Sequence, residues 1–287
     1  MAGYWEDSVS INTQATFEPR AVGSAHDHLQ MDDGTMQWDE AIVPRRQLLD
    51  ADRSQIPEPR DREGYYGDNH FNYWASGARD LAQIAAFMNT HRLAYDSVLD
   101  FGCASGRMVR HYHYSRLFGA VAGCDINRLH VDWCAHYLPS EIVPFQSTSM
   151  PTLPLADNSL TLITAFSVFT HIEAFEDAWL MEFRRILRPG GIAWITVHSD
   201  RTWREVNEHW PLYNAIKGFP EFASQNPRTA VPRDRMVFRW HEAKSYSANV
   251  FYSGQYIRRR FGQFLEIMDM FPAIPGYQDI VVMRKRP

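Results

Sequence analysis

The chain has 287 residues, which by the soft rule of roughly 150 residues per domain indicates one large domain or one with an elaborated cap. Apolar residues make up 45% and charged residues 22%, which removes the collagen-like, mucin-like and disordered classes for most of the length. A net charge of −5 supplies no general basic field and argues against a dedicated nucleic-acid binder.

Residues 1–70 are polar and turn-rich, with nine acidic side chains in 1–50 against Arg20, Arg45 and Arg46. Such a segment reads as an acidic tail, but Trp5, Phe17 and Trp38 are costly to leave in water. An N-terminal extension folded as a lid over a main domain at 71–287 is therefore expected. From about 71 to 198, short apolar runs alternate with helical stretches. The expected strands are Ser97–Phe101, Ala120–Asp125, Ile142–Gln146, Leu160–Phe166 and Ile192–His198. The expected helices are Ser76–Asn89, Arg107–Tyr114, Arg128–His136 and Glu176–Leu187, the last stopped by Pro189-Gly190-Gly191. Strands alternating with helices predict an α/β fold with a Rossmann-like, doubly wound, mostly parallel sheet. Residues 199–252, rich in aromatics and proline, break that rhythm as an insert after the fifth strand. They are read either as a substrate cap or as a second small core. A helix at Gly254–Phe261 and a hairpin of strands 264–270 and 279–284 close the chain.

No apolar run approaches the ~20 residues needed to span a bilayer, so no membrane partner is expected. The start lacks a basic region followed by an apolar run. Cys103, Cys124 and Cys134 are an odd set without CxxC spacing, fitting a reducing cytoplasm. Neither the His26/His28 nor the His111/His113 pair has partner ligands at metal spacing, so no metal is expected.

The strongest local signal is Val98-Leu99-Asp100-Phe101-Gly102-Cys103-Ala104-Ser105-Gly106-Arg107, a buried strand, a small-residue turn and a helix start. Small residues let the backbone come close to a ligand, beside free N–H groups of the helix. Asp125 ends the next strand, where a carboxylate can accept both ribose hydroxyls of a nucleoside. A dinucleotide fingerprint would need glycine or alanine where bulky Arg107 stands. Asp100 would repel a pyrophosphate and attract an ammonium or sulfonium group. The pattern favours a cationic, phosphate-free adenosyl ligand such as S-adenosylmethionine.

With GCDIN, LPLADNSLTLITAFSVFTHI and WLMEFRRILRPGG, this stretch resembles the class I S-adenosylmethionine-dependent methyltransferases, most nearly the small-molecule methyltransferase-domain group of bacteria. The resemblance implies a seven-stranded sheet whose last strand is antiparallel. It implies that Asp100, Gly102, Ala104 and Gly106 line the methionine end, Asp125 holds the ribose and Ile126 lies against the adenine. Ser149 and Met150 fall where the family places an acidic residue and an adenine-contacting N–H. Phe166 would lie beside the methyl group. Cys103 belongs to the same loop, its side chain being read, like that of Cys124, as packing rather than as a nucleophile.

His171 and His198 end the fourth and fifth strand regions at the edge where open α/β folds bind ligands. Either can be a general base or a packing residue. The expectation is methyl transfer to an oxygen or nitrogen of a small molecule, with the oligomeric state open and a homo-oligomer compatible. The rivals are a non-catalytic adenosyl-binding protein and a nicotinamide-dependent oxidoreductase.

Overall fold

A computed structural model of the chain describes residues 18–225, 228–240, 246–274 and 276–287. Eleven strands are found among these residues. They are β1 Ala21–Ser24, β2 Gln55–Pro57, β3 Ser97–Phe101, β4 Ala120–Asp125, β5 Ile142–Gln146, β6 Leu160–Ala165, β7 Leu187–Val197, β8 Arg235–Arg239, β9 Ala248–Tyr252, β10 Glu266–Pro272 and β11 Asp279–Arg284. Seven form one sheet in the order β10-β11-β7-β6-β3-β4-β5, with β1-β2 and β8-β9 as separate two-stranded sheets. The last strand, β11, is antiparallel to both its neighbours, as the hairpin signal and the family resemblance predict. No helix among the described residues is long and apolar enough to cross a membrane. The chain divides into two compact units, one ending at Ser147 and one running from Thr148 to Pro287.

In the first unit β3, β4 and β5 are parallel neighbours, and all five residues of β3 are buried. A strand covered on both faces reads as a continuous apolar run, which is why it stood out in the sequence. The helix before it, His70–Thr90, starts six residues earlier than the apolar periodicity suggests. Asn69 caps it by accepting the Asn72 N–H. Its first three turns are buried on nearly every side, from Phe71 to Ala82, so no polar stripe marks where it begins. The helix after the glycine turn begins at Val109 rather than Arg107.

Residues 18–62 are built into this unit. Asp52 and Arg110 form an ion pair at 2.7 Å with both side chains fully buried. Trp74 Nε1 donates to the same carboxylate, and Arg110 also donates to the carbonyls of Ser54 and Gln55. Trp38 donates its Nε1–H to the Val43 carbonyl and stacks under Arg45; Trp5 and Phe17 lie outside the described residues. Deleting residues 1–60 would therefore strip Arg110 of its carboxylate. His111 packs beside this pair, where burial pushes its pKa down to about 3, so it is a neutral packing histidine.

In the second unit the Pro189-Gly190-Gly191 turn lies inside β7 rather than ahead of it. Leu160 pairs with Leu187 and Leu162 with Ile192, so Arg188–Gly191 is looped out as a bulge. Gly190 takes φ +81 there. The helix Glu176–Ile186 ends directly at the strand. The strand expected at 264–270 runs two residues further on, over Glu266–Pro272, and the helix before it is Gly254–Arg260. The 199–252 insert has its own core of Trp203, Val206, Ile216, Phe222, Val231, Met236, Phe238 and Phe251. Its aromatics therefore do what aromatics most often do.

Burial raises the Asp52 carboxyl, but the charge and hydrogen bonds of Arg110 outweigh it and hold the group below the ordinary range. A lowered folded-state pKa contributes stability above the unfolded value of about 3.9, and that contribution fades only as pH falls through the lower folded value. Asp52→Ala leaves a buried guanidinium unpaired and is expected to cost about 3–5 kcal/mol. Urea denaturation at neutral pH checks this, and an effect under about 1 kcal/mol would contradict it.

Candidate active site

The glycine turn is formed by a backbone that leaves β3 and doubles back. The N–H groups of Gly102 and Cys103 both donate to the Cys124 carbonyl, at 2.8 and 2.9 Å, and the Gly106 N–H donates to the Cys103 carbonyl at 3.0 Å. Gly102, Ala104 and Gly106 all have positive φ, at 77°, 44° and 81°. At Gly106 a Cβ would also come within 2.5 Å of Leu138 Cδ1, so this glycine serves packing as well as the turn. Ala104 is the departure, because alanine in this region is strained by about 1 kcal/mol or more. Its N–H donates to Asp125 Oδ2 at 2.9 Å, which holds it there.

Asp125 is thus tied into the loop. It ends β4, is buried, and accepts the Asn127 N–H on Oδ1 at 2.8 Å. Burial raises its pKa, opposed by the nearby His130 and by these two N–H groups. A carboxylate has about four acceptor sites and two are used, so it retains capacity for two hydroxyl donors. Asp100, on β3, is buried as well. Ile126 and Asn127 follow Asp125 half-buried, with the Ile126 carbonyl accepting from Gln146. The side chain of Cys103 is buried, and its thiol is raised well above the ordinary range, first by its hydrogen bond with Cys134 and then by burial. It is inert packing.

Several partners of this loop were not visible in the sequence. Ser105 Oγ donates to the Asp61 carbonyl, so the His130 Nδ1 at 2.9 Å must be a donor to Ser105. His130 Nε2 is 3.5 Å from Glu63 Oε1. Burial lowers the His130 pKa, but Glu63 and Asp125 outweigh it and the net direction is upward. Arg107 pairs with Asp80 at 2.6 Å, fastening the loop's last residue to the helix His70–Thr90. None of these links follows a spacing rule, since the partners are 25 to 67 positions apart.

In the second unit, Phe166 is the first residue past β6 and is half-buried. Ser149 is fully buried, with Met150 half-buried next to it. The Ser149 carbonyl accepts from Tyr246 Oη at 2.5 Å, and Trp179 Nε1 donates to the same hydroxyl at 2.9 Å. Tyr246, from the insert, is a brace on this loop that sequence reasoning missed. His171 and His198 both lie against one edge of β9, where the Val250 and Tyr252 N–H groups donate to the carbonyls of Thr170 and His198. The His171 Nδ1 sits 2.7 Å from the Ala248 carbonyl, and its ring meets Trp240 edge-on at 5.7 Å. His198 is 4% exposed, forms a bridge with Phe251, and its pKa is pushed down to about 3 by burial and then by His171.

Residues 99–195 match the family described as methyltransferase domain. Among solved structures, the chain is similar to an S-adenosylmethionine-dependent methyltransferase from Clostridium acetobutylicum, at 12% identity and a TM-score of 0.50 over 78% of this chain and 95% of that one. It is also similar to a candidate S-adenosylmethionine-dependent methyltransferase from Listeria monocytogenes, at 11% identity and a TM-score of 0.51 over 68% and 92%. These structures share the fold, and the family match supplies the activity. The chain thus carries a methyltransferase domain over residues 99–195, on a fold shared with S-adenosylmethionine-dependent methyltransferases.

Proposed function

We propose that this enzyme methylates an oxygen or nitrogen of a small molecule in a reducing, cytoplasmic setting, with the glycine turn and Asp125 holding the cofactor. The observation that carries this reading is Asp125, a buried strand-terminal carboxylate hydrogen-bonded to the loop backbone with acceptor capacity to spare. Those free acceptor positions fit a ribose diol. A buried Asp100 fits the cationic methionine end and disfavours phosphate. Ile126 and Met150 are assigned to the adenine faces, Ser149 to the loop that carries Met150, and Phe166 to the methyl end, by correspondence with the family. The three cysteines are buried and free of disulfides, in keeping with that compartment.

Bound S-adenosylmethionine supplies an already activated methyl group on a sulfonium. The chain's own residues then have to align an acceptor with it and exclude water, and positioning of this kind supplies much of a rate enhancement. For a hydroxyl acceptor a proton must also leave. With its Nδ1 directed to the Ala248 carbonyl, neutral His171 carries the proton on Nδ1 and a lone pair on Nε2, the form a base requires. His198 is buried too deeply to gain a charge near neutral pH, and we assign it to packing around β9. The exposed Trp240 beside His171 provides a flat apolar surface for the acceptor.

Titration calorimetry with S-adenosylmethionine and S-adenosylhomocysteine tests the cofactor site. Binding is expected near micromolar, about −8 kcal/mol. Asp125→Ala should weaken it by roughly 10- to 100-fold through loss of charged hydrogen bonds, and NAD should not bind. No binding of either adenosyl ligand by folded protein would overturn the assignment. Once a hydroxyl acceptor is in hand from a labelled-methyl screen, His171→Gln should lower kcat by about 10²–10⁴-fold with cofactor affinity unchanged. An unchanged kcat would return His171 to a packing role.

A further inference from the structure

Arg62 is 2% exposed, yet among the described residues its Nε and Nη1 have no hydrogen-bond acceptor. Its Nη2 donates to the Gly67 carbonyl at 2.5 Å and to His70 Nδ1 at 2.8 Å, and its Cζ lies 4.6 Å from the Tyr73 ring centroid. All these partners are neutral, and among the described residues no carboxylate lies within ion-pair distance of Arg62, Asp68 acting on it only from further off. Burial pulls its pKa down, and the half-buried His70 beside it is itself lowered, by burial and then by Arg62. A buried guanidinium without an anion is expensive, several kcal/mol in typical proteins, and buried donors are normally satisfied. The other buried guanidiniums of this unit, Arg79 and Arg110, each have a carboxylate, as does the half-buried Arg107.

The position of Arg62 suggests what its anion is. The preceding residue, Asp61, is pinned by its carbonyl to Ser105 of the glycine turn, and consecutive Cα atoms are only ~3.8 Å apart. Tyr73, beneath Arg62, feels the charges of both Arg62 and Arg107, so the same helix side chain faces Arg62 and the end of the loop. S-adenosylmethionine is zwitterionic at its amino-acid end, with an ammonium that suits Asp100 and a carboxylate that needs a cation. We propose that Arg62, outside the matched family region, receives the cofactor's carboxylate. This rests on the reading of the glycine turn as the cofactor site.

The test compares S-adenosylmethionine with its decarboxylated form, which keeps the sulfonium and ammonium and lacks only the carboxylate. By calorimetry the full chain should prefer S-adenosylmethionine by roughly 10- to 100-fold, the worth of a charge-assisted hydrogen bond. Arg62→Met should level the two ligands and leave affinity for the decarboxylated one nearly unchanged, while Arg62→Lys should keep part of the preference. The wild-type comparison stands even if Arg62→Met does not fold. No preference in the wild type, or equal losses for both ligands in a folded Arg62→Met, would overturn the assignment. So would thermal protection by millimolar inorganic sulfate that persists with S-adenosylmethionine bound, since the anion site would then be separate. Failure of the wild type to bind either ligand would instead remove the cofactor reading of the loop, and this assignment with it.

Discussion

The hydrogen bond from the Ala104 N–H to the Asp125 carboxylate is the contact on which the candidate cofactor site depends. It joins the turn after β3 to the end of β4, and it holds a non-glycine residue at positive φ. Parallel pairing of β3 with β4 brings the two strand ends level, and the shared acceptor at Cys124 closes the turn on the same side. The carboxylate thus performs two tasks. It shapes the loop with one lone pair on each oxygen and keeps the remainder for a ligand. Losing it removes a ligand contact and relaxes the loop at once, so effects at this residue and at its loop neighbours should not add.

Around that contact several charge pairs of the first unit join different elements. Asp52 precedes β2 and meets Arg110 on the helix Val109–Tyr114. Asp80 on the long helix meets Arg107 at the end of the turn. His130, on the helix after β4, stands between Glu63 and Asp125, and its charge opposes the rise that burial imposes on Asp125. Each pair fastens an N-terminal element to the loop or to the helix that leaves it. The extension before residue 70 is therefore part of what positions the site. Arg62 departs from this arrangement, which is why its donors carry information that those of Arg110 do not.

The parts legible in the sequence were those set by short-range physics. Buried parallel strands announce themselves as apolar runs, and a small-residue turn followed by a strand-terminal Asp125 is a local pattern with a mechanism. The helix start at His70 was missed because its first turns are buried on nearly all sides and give no amphipathic stripe. Pro189-Gly190-Gly191 was read as a helix stop because that is its commonest use, whereas here the extra residues form a bulge in β7. The ion pairs were invisible for a different reason. Asp52 and Arg110 are 58 positions apart, and only the fold brings them together. Among the histidines, sequence position alone cannot separate His171 from His198, because burial decides whether an imidazole can gain a proton.

The insert at 199–252 shows the same division between scaffold and chemistry. Trp203 contacts Phe222, Phe238 and Phe251, and the two oxygens of Asp200 accept the N–H groups of Val231 and Gly254. The segment therefore supports itself with a core and with ties at both ends. Substitutions of its exposed residues, such as Trp240, should cost little stability, within about 0.5 kcal/mol for surface sites away from special contacts. Exposed side chains of the insert can then vary without disturbing its own core. The fold by itself names neither reaction nor acceptor, and both have to be argued from the residues of the site.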